Sequence, residues 1–269
     1  MLKKIITFAF ENELKKQERI MKIIIIGYGK MGKMIEEKAL ERNDEIICKI
    51  DSRNDWAKLD SILAERRNKI PESKNDIVAI DFSIPDTVLD NIRECFKRNI
   101  PVVVGTTGWY SQMETIKTEC ESQNQSLFWA SNFSIGVYLF NQMNIMLAKL
   151  MNNYEQYTPS ICETHHIHKA DAPSGTAITL AENLLQNQTR KQQWQLGKNN
   201  NENILDIEAI RQGEVCGIHE IKYDSSVDTI TIRHEAKSRS GFALGAVTAA
   251  HWLAGKKGFF TMSDMMETK

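Results

Sequence analysis

A run of four isoleucines that leads directly into a glycine-rich turn constrains the fold more than any other feature of the chain. The segment KIIIIGYGKMGKMIEEKAL places residues 23–26 before Gly27, Gly29 and Gly32. A continuous β-branched run predicts a strand buried on both faces, and a helical pattern follows the glycines. In the G-x-G-x-x-G spacing, the glycines permit a tight turn, a close approach to a pyrophosphate and close helix–strand packing. The segment therefore predicts a dinucleotide-binding unit.

An acidic residue at the end of the next predicted strand supports this interpretation. Asp51 ends the segment EIICKID, 19 residues after Gly32, close to the offset of about 20 at which a carboxylate binds the ribose hydroxyls. Incidental glycines in an ordinary strand–turn–helix unit are the alternative, and the strand, the helix and the carboxylate all count against it. Asp51 favours NADH because it repels a 2′-phosphate, whereas Arg53 could bind that phosphate. The sequence leaves NADH and NADPH open.

The first half of the chain alternates predicted strands with helical segments. This order indicates an α/β fold with a doubly wound parallel sheet, the Rossmann arrangement. The strands are predicted at residues 23–26, 45–51, 76–82, 101–108 and 126–134, with a helix near 86–98. The small and hydroxylic residues of GTTG and ASNFS end the fourth and fifth strands, where ligands of such sheets bind. Either stretch alone is equally typical of a turn.

The pattern changes after Ser134. A long apolar-periodic helix is predicted over residues 136–154, and alternating segments at 204–213, 215–223 and 228–236 predict a mixed or antiparallel sheet. We expect a loop at 186–203, and a last helix in 241–260 that packs on the first domain. The expected domains are a dinucleotide-binding domain of 21–134 and 242–269 and a smaller α+β substrate-binding and oligomerisation domain of 135–241, with residues 1–20 as an extension.

Composition excludes several classes of function. The formal net charge is −1, so nucleic acid is not an expected partner. The chain lacks an apolar run of about 18 residues, and we expect no membrane span. The cysteines are odd in number and never in C-x-x-C spacing, which is typical of reduced thiols in a cytoplasmic protein. They are Cys48, Cys95, Cys120, Cys162 and Cys216.

The stretch ETHHIHKADAPSGT, residues 163–176, concentrates titratable side chains before a predicted helix. It could be a polar strand end. It could be a metal site of His165, His166 and His168, with Cys162 or Glu163 as a further ligand, although on a strand His165 would point away from the other two histidines. A catalytic zinc site usually takes ligands from more than one element.

An anion-binding loop explains more of this stretch. Pro173 interrupts the chain, and Ser174 is a natural N-cap for the amphipathic helix that follows. Gly175 and Thr176 then offer backbone N–H groups and a hydroxyl to a carboxylate. The histidines and Lys169 would supply positive charge and protons. His219, His234 and His251 are isolated, and we expect them to be structural. The sequence thus predicts reduction of a small acidic substrate by NAD(P)H.

These motifs occur together in one known family. The glycine turn, Gly105-Thr-Thr-Gly108, Asn132-Phe-Ser134 and the run E-x-H-H-x-H-K-x-D-A-P-S-G-T follow one another in order, and the chain resembles the 4-hydroxy-tetrahydrodipicolinate (dihydrodipicolinate) reductase family from about Met21 to the C-terminus. The histidine-rich run is specific to that family, whereas the glycine motif is not. Two features depart from it: many members have a glycine loop one residue longer, and residues 1–20 have no counterpart.

The resemblance implies an activity and a set of roles. It implies NADH- or NADPH-dependent reduction of dehydrated 4-hydroxy-tetrahydrodipicolinate, a dicarboxylate, in lysine and diaminopimelate biosynthesis, by a homotetramer that associates through the second-domain sheet and needs no metal. His165 and Lys169 would be catalytic. The substrate-binding residues would be His166, Ser174, Gly175 and Thr176. The cofactor-binding residues would be Gly27, Tyr28, Gly29, Lys30, Met31, Gly32, Asp51, Gly105, Thr106, Thr107, Ser131, Asn132, Phe133 and Ser134.

Two other functions remain as alternatives. One is a different two-domain NAD(P)-dependent oxidoreductase, such as a sugar or amino-acid dehydrogenase. Those commonly carry Glu-Lys-Pro at the fifth strand, where this chain has Ala-Ser-Asn-Phe. The other is a non-catalytic NAD(H)-binding redox sensor, which would not need a His-Lys pair beside an anion site.

Overall fold

The structure is a computed structural model that describes residues 20–69, 76–199 and 201–267. The prediction for residues 1–20 lies outside this range except for Ile20. The strands are β1 Lys22–Ile26, β2 Glu45–Ile50, β3 Ile77–Asp81, β4 Val102–Val104, β5 Ser126–Trp129, β6 Thr158–His165, β7 Gln193–Leu196, β8 Ile204–Arg211, β9 Ile218–Asp224, β10 Thr229–Glu235 and β11 Gly258–Phe260.

Helices connect these strands. They are α1 Lys30–Glu41, α2 Asp55–Lys69, α3 Pro85–Lys97, α4 Met113–Ser122, α5 Ile135–Met151, α6 Gly175–Gln186, α7 Ser240–Leu253 and α8 Met262–Glu267, with a 3₁₀ turn at Tyr110–Gln112. The chain separates into two compact units, one of Met1–Ser131 and Ala243–Lys269 and the other of Asn132–Phe242. Within the described residues, every helix is too short or too polar to span a bilayer.

The first unit is built on a six-stranded parallel sheet in the order β11-β5-β4-β3-β1-β2. Strand β1 lies between β3 and β2, and its isoleucines 23–26 are at most 1% exposed, as a strand covered on both faces requires. The chain leaves β1 for β2 on one side and then returns to β3 on the other. The carboxyl ends of β1 and β3 therefore lie side by side at the point where a doubly wound sheet binds its ligand.

The C-terminal segment of the first unit contradicts one prediction. Residues 241–260 were expected to form a single helix, but α7 ends at Leu253 and Gly258–Phe260 form β11, which pairs in parallel with β5. The glycine at 255 has a φ of +82°, a conformation that ends helices readily. A three-residue strand leaves almost no periodic signal in a sequence, which is why this sixth strand was missed.

The second unit is built on a mixed five-stranded sheet in the order β10-β9-β6-β8-β7. Strand β6 at its centre pairs in parallel with β8 and antiparallel with β9, which confirms the mixed sheet. The register places Glu163 opposite both Ala209 and His219, and His165 opposite Arg211. Helices α5 and α6 cover this sheet with a core that includes Phe140.

The polar segment of residues 186–203 is not entirely a loop. Gln193–Leu196 form the edge strand β7, which pairs in parallel with β8. Most of its side chains are exposed. An edge strand with polar side chains has the composition of a loop, so the prediction of a loop there was wrong for a physical reason.

Candidate active site

The glycine turn at the end of β1 has the geometry that a bound pyrophosphate needs. Gly27 has a φ of +83°, and a Cβ on it would lie 2.5 Å from the carbonyl oxygen of Phe82. A Cβ on Gly32 would lie 2.3 Å from the carbonyl oxygen of Gly27, whereas nothing lies within 4 Å of one on Gly29. The first and third glycines are thus required by the turn itself, and Gly29 leaves its face open to a ligand.

Helix α1 begins at this open face. Gly29 is its N-cap, and within the described residues no side chain caps the first turn. The amide groups of that turn and the positive end of the helix dipole are therefore suited to an anion. Lys30 is exposed and Met31 partly exposed at the same end. The residues fit a dinucleotide pyrophosphate.

Asp51 lies beside the glycine turn and already serves it. Its Oδ1 accepts a hydrogen bond of 3.0 Å from the backbone N–H of Tyr28. Tyr28 is in turn held by Glu36, and its ring lies 4.1 Å from the Lys49 ammonium. Arg53 is 95% exposed, 3.8 Å from Asp90. One oxygen of Asp51 thus fixes the turn, and the guanidinium of Arg53 follows two residues further along the chain.

A cleft with a volume of about 990 Å³ opens at the same edge of the sheet. It runs from the glycine turn past the ends of β2 and β3 and along α3 as far as Lys97. The residues that carry its polar lining include Asp51, Ser52, Arg53, Ser83, Asp86 and Asn91. Both the size and the mixed lining suit the adenosine half of a dinucleotide.

A buried carboxylate ties the strand ends together beneath the cleft. Asp81 ends β3 and is fully buried. It accepts hydrogen bonds from the backbone and hydroxyl of Ser83, from the hydroxyl of Thr106 and from the side-chain amide of Asn91, at 2.7 to 3.0 Å. Burial raises its pKa, although these donors oppose the effect. The sequence analysis did not single out Asp81, because a strand-ending Asp without a motif looks like ordinary turn chemistry.

The other predicted cofactor residues have different surroundings. The hydroxyl of Thr106 is directed to Asp81, whereas Thr107 is exposed. A Cβ on Gly105 would lie 2.2 Å from the ring of Phe82. The predicted run of residues 131–134 is divided by the unit boundary, and its members are exposed at Ser131 and buried at Phe133. In the second unit, the Ser134 hydroxyl caps α5 by accepting from Val137, and the Asn132 side-chain carbonyl accepts from the backbone of Ser134.

In the second unit, the predicted anion loop opens helix α6 as expected. Ser174 is the N-cap, and its hydroxyl accepts a hydrogen bond of 3.2 Å from the backbone of Ala177. A Cβ on Gly175 would meet nothing within 4 Å, so the start of the helix is open. The Thr176 hydroxyl lies 3.4 Å from the side-chain amide of Asn132. This end of the helix therefore presents backbone and side-chain donors at one place.

His165, the central histidine of the candidate site, lies beside the buried carboxylate of Glu163. Glu163 is completely buried, and its Oε2 lies 3.5 Å from Nδ1 of His165 and 3.7 Å from Nε2 of His219. Its Oε1 accepts hydrogen bonds from the backbone of Ser174, at 3.0 Å, and from Arg211, at 3.2 Å. Glu163 therefore connects the side chain of His165 with the open N-terminal end of α6.

The pKa values of Glu163 and His165 both lie below their usual ranges. Burial would raise the pKa of Glu163, but the contacts from His219 and Ser174 and the nearby His165 hold it at about 2. Burial lowers the pKa of His165 to about 4, more than the Glu163 carboxylate raises it. The carboxylate is therefore ionised and the imidazole neutral in the free protein at neutral pH.

The remaining basic side chains of the stretch lie around this pair. Lys169 bonds Asp171 through both carboxylate oxygens, at 2.7 and 2.8 Å, and this ammonium lowers the pKa of Asp171. His166 lies 3.4 Å from a guanidinium nitrogen of Arg239. Strand β6 ends at His165, and His168 is in an exposed turn beside Glu214. The three histidines therefore do not share a strand.

The structure brings together a different set of potential metal ligands from the set that was predicted. In the part of the chain that the structure describes, the group of potential ligand atoms within 4.8 Å of one another belongs to Glu163, His165 and His219. His166 and His168 are not among them. Arg211 contacts the same carboxylate, and a guanidinium there competes with a metal ion for its charge. The sequence reading of His219 as an isolated structural residue was incomplete, because only the pairing of β9 with β6 brings it to Glu163.

Family models match both units of the chain. The model described as "Dihydrodipicolinate reductase, N-terminus" matches residues 21–133, and the model described as "Dihydrodipicolinate reductase, C-terminus" matches residues 136–266. The chain belongs to the dihydrodipicolinate reductase family. The family assignment makes the chain an oxidoreductase with a dinucleotide-binding domain, and it confirms the resemblance and the fold class predicted from the sequence.

Individual members of the reductase family are similar over nearly the whole chain. The 4-hydroxy-tetrahydrodipicolinate reductase of Christiangramia forsetii is 43% identical over 246 residues, which cover 91% of this chain and 98% of that protein. The enzymes of the same name from Lawsonia intracellularis and Methanoregula boonei are 33% and 30% identical, with 91% of this chain covered in each case and 99% and 97% of those proteins. A dipicolinate-bound dihydrodipicolinate reductase from Paenisporosarcina sp. TG-14 has a similar fold, with a TM-score of 0.66 at 23% identity over 92% of this chain and all of that one.

Proposed function

We propose that the chain reduces dehydrated 4-hydroxy-tetrahydrodipicolinate to tetrahydrodipicolinate with NADH or NADPH, in lysine and diaminopimelate biosynthesis. The observation that carries the proposal is the arrangement in the second unit. A buried, neutral imidazole and an ammonium accompany a helix start that is open to a carboxylate. A cyclic imine with two carboxylates needs a proton source and two anion sites together.

The first unit supplies the cofactor site in this proposal. Backbone N–H groups at Gly29 and at the start of α1 hold the pyrophosphate, and Asp51 directs its second carboxylate oxygen to the ribose. When bound, the nicotinamide supplies a hydride to ring carbon C4 of the substrate. Gly105, Thr107 and Ser131 are the residues that we assign to the nicotinamide edge, and the backbone of Thr106 joins them.

The second unit holds the substrate and moves the proton. Ser174, Gly175 and Thr176 bind one carboxylate through neutral donors at the helix N-terminus. His166 binds the other, with the positive charge of Lys169 nearby. Hydride addition leaves negative charge on the enamine of the ring, and a proton from the His165/Lys169 pair neutralises it. A dicarboxylate beside His165 favours the imidazolium and raises its pKa above the value in the free protein.

The setting of the enzyme completes the proposal. We assign it to the cytoplasm, where its free cysteines stay reduced. We also assign it a homotetrameric state in which the mixed sheet of the second unit forms the contact. Ile210 lies on the face of that sheet away from the core under α5 and α6, is 37% exposed, and would be covered by such a contact.

Steady-state reduction of freshly generated 4-hydroxy-tetrahydrodipicolinate, followed by the loss of nicotinamide absorbance, tests the proposed function. Turnover with either cofactor supports it. A protein that binds NADH tightly but turns over no substrate would instead be a redox sensor. A protein that turns over other small acids, but not this one, would be a different oxidoreductase.

Metal independence is a separate prediction of the same proposal. Exhaustive chelation followed by dialysis should leave turnover intact. Arg211 already neutralises the charge of Glu163, and a metal would need neutral imidazoles, which would compete with the role of the histidines in binding an anion. Pyridine-2,6-dicarboxylate should still compete with substrate after that treatment, and Thr176→Val should weaken the competition. Loss of turnover on chelation, with recovery on addition of zinc, would contradict this assignment and favour the ligand group Glu163, His165 and His219.

A further inference from the structure

Two buried atoms in the second unit face each other without a satisfied hydrogen bond. Within the described residues, Oε2 of Glu163 and Nδ1 of His165 have no hydrogen-bond partner, and the distance between them is 3.5 Å. A buried polar atom without a partner is costly. A proton on Nδ1 satisfies both atoms at once with a small rotation, whereas a proton on Nε2 leaves two buried acceptors opposed.

The other nitrogen of the same ring has the opposite surroundings. Nε2 of His165 lies beside Gly217, and a Cβ at that position would stand 3.1 Å from it. A side chain at 217 would therefore crowd this nitrogen, and glycine leaves it accessible. Nδ1 thus faces the buried carboxylate, whereas Nε2 faces a position that the glycine keeps free of a side chain.

We propose that Glu163 is a positioning residue that fixes the tautomer of His165, with the proton on Nδ1 and with Nε2 as the nitrogen that exchanges a proton with the substrate. This inference rests on the proposed function. The partner that orients one ring nitrogen decides what the other can do. The neutral ring then presents a lone pair at Nε2, which takes up a proton when the dianionic substrate arrives and delivers it after hydride addition.

His219 and Ser174 extend this arrangement to the anion site. Nε2 of His219 lies 3.3 Å from the Ser174 hydroxyl and also faces Oε2 of Glu163. The Ser174 backbone donates to Oε1 of the same carboxylate. The residue that sets the tautomer of His165 thus also holds the N-cap residue of the carboxylate-binding helix. We assign to His219 the role of holding the Glu163 carboxylate and the Ser174 hydroxyl in fixed positions relative to each other.

Among the described residues, the charged and titratable groups around Glu163 come from three strands and one loop. His165 lies on its own strand, His219 on β9 and Arg211 on β8, and Lys169 and Asp171 lie in the loop after β6. Cys162 and Glu220 lie on the opposite face of the sheet. Arg211 also donates to the backbone carbonyls of Lys169 and Asp171, at 3.3 and 2.6 Å. Its position therefore does not depend on the carboxylate alone.

This geometry makes Glu163→Gln a decisive substitution. The carbonyl of the new amide should occupy the place of Oε1, because two donors, Ser174 and Arg211, converge there. Its NH₂ group must then face Nδ1 of His165. An NH₂ group needs an acceptor, so Nδ1 must lose its proton and Nε2 must carry it. The substitution should reverse the tautomer while it preserves size and the other contacts.

The test uses the full-length protein labelled with ¹⁵N-histidine at neutral pH. Ring-nitrogen chemical shifts distinguish protonated from unprotonated nitrogens, and His165→Gln identifies the His165 signals by their loss. We expect Nδ1–H in the wild type and Nε2–H in Glu163→Gln. Turnover should fall by about 10²–10⁴-fold, the contribution of a positioned acid, with no change in NADH affinity. Glu163→Asp, which keeps the charge, should recover part of the turnover.

Glu182→Gln is the matched control. Glu182 is exposed on α6, so the same change of charge in the same unit should alter neither the tautomer nor turnover. A wild-type His165 protonated on Nε2 would overturn the inference even if Glu163→Gln failed to fold. The same tautomer in both proteins, or full turnover in Glu163→Gln, would do so as well. An Nδ1–H wild type that reduces no substrate would support the tautomer and overturn only the proposed function.

Discussion

Each unit of this protein contains one fully buried carboxylate next to its ligand site, and the two are used in opposite ways. Asp81 in the first unit receives only neutral donors, and burial raises its pKa. Glu163 in the second unit accepts hydrogen bonds from a guanidinium and a backbone amide and lies within 3.7 Å of two imidazoles, and its pKa is held at about 2. Asp81 joins the ends of neighbouring strands, whereas Glu163 keeps a negative charge beside side chains that can gain and lose protons.

The comparison shows why the buried groups suited to proton transfer lie in the second unit. A dinucleotide is held mainly by backbone N–H groups at a helix start, so its site needs a rigid turn and little titratable chemistry. A proton transfer needs groups whose protonation states are set apart by their surroundings. Glu163 and His165 provide this because one is ionised and the other neutral at the same pH.

The largest expected effect separates the two units most sharply. Lys169→Ala should lower turnover by about 10²–10⁴-fold, because it removes a positioned acid. Its affinity for NADH should not change, since the glycine turn and Asp51 lie in the other unit. Lys198→Ala removes an exposed ammonium from the second unit and is the matched control. Turnover of Lys169→Ala close to that of the wild type would remove Lys169 from the proton pathway.

How much of this could be predicted from the sequence depends on how local each feature is. The glycine turn, Asp51 and the Ser174 cap are set by residues close together in the chain, and their positions were predicted. The group around Glu163 is not local, because His219 and Arg211 reach it only through the register of β9 and β8 with β6. No spacing in the sequence encodes that register.

The sheet itself shows the same limit. Long runs such as β1 identify themselves by their β-branched composition, but β11 is three residues long and β7 is polar. Their pairing partners stabilise them, and their own composition does not. Asp81 was missed for a related reason, because its importance comes from donors on three separate segments.

A smaller effect should appear in the first unit alone. Asp51→Asn removes the charge that repels a 2′-phosphate but keeps an acceptor for the backbone of Tyr28. We expect affinity for NADPH relative to NADH to rise by about tenfold, or about 1.4 kcal/mol, as measured by titration of both cofactors. Asp51→Ala should raise the same ratio but weaken both affinities, because the turn loses its hydrogen bond. Arg53→Ala should lower the ratio. An unchanged ratio in all three would mean that another residue reads the ribose.

The smallest expected effect is at Asp81, and it tests the comparison directly. In Asp81→Asn, a carbonyl can still accept from Ser83 and Thr106, and the side chain of Asn91 can rotate to present its own carbonyl to the new NH₂ group. Glu163→Gln differs, because its new NH₂ group is accommodated only when His165 reverses its tautomer, which removes the lone pair from Nε2. NADH affinity and turnover of Asp81→Asn should therefore stay close to those of the wild type.

The pH dependence of stability should then distinguish the two carboxylates by sign. A raised pKa means that ionised Asp81 weakens the fold above that pKa, and that the penalty is relieved as pH falls through it toward the unfolded value of about 3.9. Asp81→Asn lacks the penalty, so its melting temperature relative to wild type should be highest at neutral pH and should decline on acidification. The stability from Glu163 is present above an unfolded pKa of about 4.3 and is lost as pH falls toward 2. If the melting temperatures of Asp81→Asn and wild type differ by the same amount from pH 7 to pH 4, ionised Asp81 does not destabilise the fold. The contrast between the two carboxylates would then fail.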